Sequence, residues 1–220
     1  MEPIVKLKDN YIHVAGNFGG SQTFFRADKG LLNKMRDKGG CGVVAITDTV
    51  LYLSGQHEIK TVTEYKKLFK KTSKCALWVP VSFGMTFLQL AFGFKSLSKL
   101  CKLAFNSRWC FSLKKLPNRI QMMLSNDIPV ILCIPKNLGR RIQKYNLAFY
   151  NSDLTIVSGT NGHFVVVTGL YKHPYNDEEY LEISSWGNRY YVNLNEYISF
   201  SKKHLMRVAG NMLYIKRDAK

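Results

Sequence analysis

The sequence predicts an α+β protein formed by a single domain over residues 1–220, and three observations support this fold class. Residues 1–126 contain apolar positions at helical spacing, whereas residues 127–220 contain short apolar runs separated by turn-forming residues, a pattern typical of strands. The length of 220 residues and the hydrophobic content of 46% suffice for one substantial core. We therefore expect a mainly helical half packed on a mainly antiparallel β half, with a cleft where the halves meet.

The most informative helix is predicted to begin at Cys41. Glycines flank this cysteine, and apolar residues follow at positions 43, 46, 50 and 53, one stripe of a 3.6-residue period. A strand over the same residues would place Asp48 or two threonines on its apolar face, so we favour a helix that ends near Gly55. Because free N–H groups at a helix N-terminus favour a thiolate, Cys41 is a candidate nucleophile; the alternative is a buried structural cysteine.

Shorter patterns account for most of the remaining chain. A strand is predicted at 11–14, and a turn-rich loop at 17–22 ends in Gln22. Helical spacing predicts four more helical segments, at 31–36, 61–71, 85–101 and 119–124. Apolar and β-branched runs in the second half predict six strands, at 128–134, 154–157, 164–171, 180–184, 190–192 and 212–215.

The charge is strongly basic and uneven. The chain has 32 Lys and Arg against 15 Asp and Glu, a net charge of +17, and residues 60–144 alone hold 17 basic and two acidic residues. Such a segment is either a solvated face or a site for an acidic partner. Because the sequence contains no nucleic-acid-binding motif, we favour the solvated face over nucleic acid binding and keep an acidic partner on residues 60–144 as the alternative.

We expect no cofactor, no metal site and no disulfide framework. The five cysteines form no C-x-x-C pair, and no histidine stands at metal-ligand spacing from them. The uncharged segment 75–94 is long enough to span a bilayer, but its Pro, Gly, Ser, Thr and Gln residues argue against a membrane span or partner. The N-terminus lacks the apolar core of a signal peptide, so we expect a cytoplasmic protein with free thiols.

A nucleophilic cysteine requires a base, and His163 is the best candidate among the five histidines. It follows Gly162 and precedes a run of valines, which places its ring at the start of a rigid strand. The other four histidines lie before the cysteine, at the far end of its helix, in an exposed turn and among C-terminal lysines. The predicted strand 180–184 is expected to pair with the histidine strand, which brings residue 184 or 185 next to His163.

The order of these elements resembles that of the papain-like cysteine peptidases: a cysteine on a helix N-terminus, a histidine opening a late strand, and then a strand that ends in Ser-Trp-Gly. The Gly-Cys-Gly segment with an upstream glutamine is similar to the bacteriocin-processing, double-glycine type of this superfamily, as found in many bacterial peptidases. The resemblance covers about residues 15–55 and 128–195. It implies a papain-like fold and a peptide or protein substrate.

The resemblance also implies a role for each catalytic residue. Cys41 is the expected nucleophile, His163 the base, Gln22 a donor to the oxyanion and Ser184 the residue that orients the histidine. Gln22 lies 19 residues before Cys41, which requires an excursion of the chain between them.

The orienting position departs from the family pattern. Papain-type enzymes have asparagine where this chain has Ser184, and a hydroxyl cannot stabilise an imidazolium as a carboxylate does. Asn188 or a backbone carbonyl is the alternative partner of the histidine. Ser185 and Trp186 are expected to support the site, with Trp186 shielding the histidine from water.

These expectations define a cysteine peptidase or amide hydrolase that acts through a Cys–His thiolate pair and a thioester acyl-enzyme. Amidase, deamidase and acyltransferase chemistry on the same residues stay open. So does a different class of protein, a catalytically weak or silent papain-like domain whose basic face binds an acidic partner.

Overall fold

Six α-helices and twelve strands form the described part of the chain, residues 1–78, 84–136, 146–203 and 211–218, in a computed structural model. The helices are α1 Leu31–Gly39, α2 Cys41–Leu53, α3 Val62–Cys75, α4 Phe87–Leu100, α5 Leu116–Ser125 and α6 Leu194–Lys203. The strands are β1 Glu2–Lys6, β2 His13–Val14, β3 Asn17–Phe18, β4 Glu58–Ile59, β5 Phe105–Trp109, β6 Val130–Ile134, β7 Leu147–Tyr150, β8 Ile156–Thr160, β9 His163–Lys172, β10 Glu179–Ser185, β11 Asn188–Asn193 and β12 Met212–Arg217.

The long strand β9 is the centre of an antiparallel sheet of nine strands, in the order β5-β12-β6-β9-β10-β11-β7-β8. β1 completes the sheet by pairing with the second half of β9, beside β6, which pairs with the first half. Eight consecutive residues of β9, from 163 to 170, are buried, as expected for a strand covered on both faces. β9 is therefore a rigid support for the residue at its start.

α2 is the central helix of the other layer. It packs against β9 and β6 on one side and against α3 and α4 on the other, so that nearly all of its residues are buried. Its neighbours begin at well-capped ends: Thr61 accepts a hydrogen bond from the Glu64 N–H, and Thr86 forms a capping box with Gln89. The packing fixes the position of the first residue of α2 relative to the sheet.

The structure confirms the α+β class and the large antiparallel sheet. Each predicted helix and strand has a counterpart, although α3 continues to Cys75 and β8 begins two residues later than expected. The sequence patterns did not indicate β1, β5, β7, α6 or the two-residue strands β3 and β4. β1 and β5 lie in the first half of the sequence but belong to the main sheet, so the helical and β layers do not separate at residue 126.

The uncharged segment 75–94 contributes the end of α3 and the first part of α4. Among the described residues, no helix combines the length and apolarity needed to cross a membrane. Residues 79–83 of this segment, residues 137–144 of the basic segment and His204 lie outside the described residues.

We predict that Gly93→Ala destabilises the protein. A Cβ at Gly93 would lie 2.5 Å from the Ala76 Cβ and 3.0 Å from the Ile46 Cδ1, where α4 meets the end of α3 and α2. Overpacking typically costs about 1–3 kcal/mol, which exceeds the gain of about 1 kcal/mol in helix propensity. Urea denaturation of the variant should show a lower midpoint, while Lys95→Ala on the exposed face of α4 should leave the midpoint unchanged. Equal midpoints for all three proteins would contradict this packing.

Candidate active site

Cys41 is the first residue of α2, and Gly40 separates it from α1. A Cβ at Gly40 would lie 2.5 Å from the Arg36 carbonyl oxygen and 2.9 Å from the Phe69 ring, so this break between two helices requires glycine. The helix start leaves the first backbone N–H groups without partners inside the helix. Cys41 as a residue is only 8% exposed.

His163 is the first residue of β9 and lines the same small cavity as Cys41 and Gln22. The cavity has a volume of about 10 Å³, which is room for about one water molecule. His163 is 6% exposed. The fold thus brings together the three residues that the sequence predicted as nucleophile, base and oxyanion donor.

Ser185 is the serine that contacts the histidine. Its Oγ lies 2.9 Å from His163 Nε2, whereas Ser184 Oγ donates a hydrogen bond of 3.0 Å to the Phe18 carbonyl. Successive residues of a strand point to opposite sides, so β10 can present only one of the two serines to the histidine. When Ser185 accepts this bond, the ring proton is held on Nε2 and Nδ1 is left as the basic nitrogen.

Trp186 covers the histidine from a strained turn. Trp186 and Gly187 have φ values of +51° and +78° and form the two-residue turn between Ser185 and Asn188, which are paired across β10 and β11. Such turns require two positive φ values and favour Asn-Gly, and a left-handed tryptophan costs about 1–2 kcal/mol. The turn stacks the indole on the His163 ring, with 4.7 Å between the ring centroids and 26° between the planes.

Gln22 reaches the site through the excursion that the sequence spacing requires. It begins a short 3₁₀ helix that is capped by Ser21, and α1 then returns the chain to Cys41. Its Nε2 donates a hydrogen bond of 2.7 Å to the Asp37 carbonyl just before Cys41. The Gln22 side chain is therefore held against the last turns of α1, the helix that precedes Cys41.

Asp48 is a site residue that the sequence analysis did not assign. It is 1% exposed, lines the cavity, and lies two helical turns after Cys41 on the same helix. Its carboxylate accepts hydrogen bonds from the Gly20 N–H at 2.9 Å and from the Tyr11 and Tyr65 hydroxyls. Burial raises the pKa of Asp48 to about 6, against the lowering effect of these donors. The carboxylate ties the Gln22 loop to α2.

Burial of the candidate site favours the neutral forms of its groups. Burial raises the pKa of the Cys41 thiol above its ordinary value, although the backbone N–H groups of Phe164, Gly42 and Cys41 itself favour the thiolate. Burial also lowers the pKa of His163 to about 4. Burial thus favours the neutral thiol and imidazole over the thiolate and imidazolium of an ion pair.

The other candidates lie away from the histidine. Asn188 is exposed, and its amide donates to the Trp186 carbonyl at 3.2 Å. His57 lies 3.9 Å from the Asp9 carboxylate, at the far end of α2. The one sequence signal for Asp48 was an acidic residue seven positions after the cysteine in an otherwise apolar helix, a spacing that places both on one side.

Comparisons with protein-family models and with curated proteins gave no match to this chain. Among the described residues, no three His, Cys, Asp or Glu side chains are grouped so that they could hold a metal ion. The proposals below therefore depend on the geometry of the site itself.

We predict that His163 makes the stability of the protein sensitive to acid. The pKa of His163 in the folded state, about 4, lies below the ordinary value of 6.5. The neutral histidine therefore makes its full contribution to folding stability above pH 6.5, and this contribution is lost as the pH falls towards 4. The difference in unfolding free energy between the wild type and His163→Gln should decrease by up to about 3 kcal/mol over this interval. Urea denaturation of both proteins at several pH values measures this difference, because contributions shared by the two proteins cancel. A constant difference from pH 7 to pH 4 would contradict a buried neutral histidine.

Proposed function

We propose that the protein is a cysteine-dependent hydrolase of peptide or amide bonds with a papain-like arrangement of its catalytic groups. The observation that carries this proposal is the common cavity of Cys41, His163 and Gln22, with His163 oriented by Ser185. A thiol at a helix N-terminus, a base at the start of a rigid strand and a second side chain on the base form the minimum set for nucleophilic acyl transfer.

The mechanism begins with both groups neutral. His163 Nδ1 takes the thiol proton as the Cys41 sulfur attacks the substrate carbonyl, and the Nε2–H continues to donate its hydrogen bond to the Ser185 hydroxyl. The Cys41 backbone N–H and an N–H of Gln22 donate to the oxyanion. The imidazolium then protonates the leaving amine, and water hydrolyses the thioester with the imidazole acting as the base.

Serine in place of an amide or carboxylate limits the rate of this chemistry. A hydroxyl orients the ring but contributes little to the stability of the imidazolium that forms in the transition state. The stacked indole of Trp186 excludes water from the same ring, which keeps the histidine neutral until the proton is transferred. We therefore infer a slow enzyme with its optimum near or above neutral pH, where more of the thiol can ionise.

The direct test is covalent labelling of Cys41 with a peptidyl epoxide, located by peptide mass mapping. We expect one adduct on Cys41 in the wild type and none in His163→Ala, because the base is needed to ionise a thiol whose pKa is raised by burial. Cys101 is the exposed thiol of the chain and reports the intrinsic reactivity of the probe in both proteins. Equal labelling of Cys41 in the two proteins, or labelling of Cys101 alone, would refute the proposal.

The two adjacent serines provide a matched pair of variants. Loss of a neutral hydrogen bond costs about 1 kcal/mol, so Ser185→Ala should lower the rate of Cys41 labelling by about five- to tenfold. Ser185→Thr, which keeps the hydroxyl, should restore most of the rate. Ser184→Ala removes the bond to the Phe18 carbonyl and should change the rate less. A larger effect at Ser184 than at Ser185 would assign the orienting role to the other serine.

One observation favours a second candidate function, a catalytically silent binding domain. The cavity is small, and its thiol and imidazole are both buried and neutral at rest. Such a domain would show uniformly slow labelling of Cys41 in the wild type and in His163→Ala.

A further inference from the structure

An apolar groove lies between α2, α3 and α4, away from the candidate active site. Its floor contains the buried residues Val50, Leu51 and Leu97, and the more exposed Leu68 and Leu100 line its sides. Its volume of about 330 Å³ falls within the range of about 300–1,000 Å³ that is usual for ligand-binding pockets. The groove can therefore enclose an apolar side chain from outside the chain.

The groove and the candidate active site lie on different faces of the same helix: Thr47, Val50 and Leu51 line the groove, whereas Cys41, Ala45 and Asp48 line the cavity. Cys41 begins α2, and Val50 follows it by nine residues, which corresponds to about 14 Å along the helix axis. A molecule in the groove thus leaves the cavity of Cys41 open.

A row of exposed lysines lies along α3, one of the three helices that form this groove. Lys67, Lys70, Lys71 and Lys74 are exposed at helical spacing, and the Lys71 side chain lines the groove itself; we refer to these four residues as the lysine face. Within the described ranges, no carboxylate lies within 4.0 Å of any of the four, whereas neighbouring Lys66 is paired with Asp28 at 2.7 Å. The positive charge on α3 is thus not held in ion pairs by the described acidic residues of this chain.

We propose that this groove and the lysine face together bind an acidic amphipathic segment of a partner protein. An apolar side chain of the segment fills the groove, and its carboxylates lie over the lysine face. Helical partners commonly bind in this way, with apolar anchors at i, i+3 or i+4 and i+7. The concave floor favours a protein segment over a membrane, because a flat bilayer surface cannot reach Val50 and Leu97.

Cys101 provides a native reporter for the test. It lines the groove and its thiol is exposed, whereas the half-buried Cys75 does not line the groove and serves as an internal control. The probe is a synthetic peptide of about 14 residues with leucines at i, i+3 and i+7 and glutamates elsewhere. We expect saturating peptide to slow the modification of Cys101 by N-ethylmaleimide about tenfold or more, because the bound peptide covers the thiol most of the time. The rate of modification of Cys75 should not change.

Two double variants with reversed charges test whether the peptide binds to the lysine face itself or only to the positive charge of the whole protein. The double variant Lys67→Glu, Lys71→Glu should bind the peptide more weakly. The peptide concentration that half-protects Cys101 should rise about tenfold or more, which corresponds to about 1.4 kcal/mol of binding free energy. Lys95→Glu with Lys99→Glu makes the same change in net charge on exposed residues of α4 and should have little effect. Cys41→Ser should bind as the wild type does, because the groove does not include the nucleophile.

Three outcomes would overturn the proposal. If both pairs of substitutions weaken peptide binding equally, the interaction is unspecific charge attraction. The same conclusion follows if a peptide with serine in place of leucine protects Cys101 as well as the leucine peptide does. Protection of Cys101 by phosphatidylglycerol vesicles without protection by the peptide would assign this surface to an anionic membrane.

Discussion

The contact between α2 and β9 is the constraint on which the structure and its chemistry depend. The helix is buried on nearly all sides, and β9 is buried along its first eight residues, so neither element can shift without opening the core. Cys41 begins the helix and His163 begins the strand. Close packing of apolar side chains thus fixes the relative position of two polar groups that lie 122 residues apart in the sequence.

Hydrogen bonds between polar groups then fix the side chains of the candidate site within this apolar core. Asp48 joins α2 to the loop of Gln22, and Ser185 holds one nitrogen of His163. Buried groups of this kind are costly unless they are paired, which explains the network of donors around the Asp48 carboxylate. The same burial disfavours the charged forms of both the thiol and the imidazole. The proposed mechanism therefore transfers the proton during attack rather than from a preformed ion pair.

The helices and strands with a strong local pattern were predictable from sequence. The stripe at 43, 46, 50 and 53 predicted α2, and the run of valines after His163 predicted β9, because each pattern matches the period of its own element. β1 and β5 were not predictable in this way. Their residues are largely exposed and mixed in character, and only the edge of a sheet formed by distant residues makes them strands.

For the candidate site, the sequence by itself determined which residue types could act and where each element begins: a cysteine after glycine at a helix start, a histidine at a strand start and a glutamine at the end of a loop. The tertiary structure alone decided which hydroxyl meets the histidine, because the choice between Ser184 and Ser185 depends on the register of β10 against β9. It also decided that Asp48 lines the candidate site and that burial opposes the charged forms of the thiol and the imidazole. The pairing register and the depth of burial arise from contacts between distant segments, which no local pattern records.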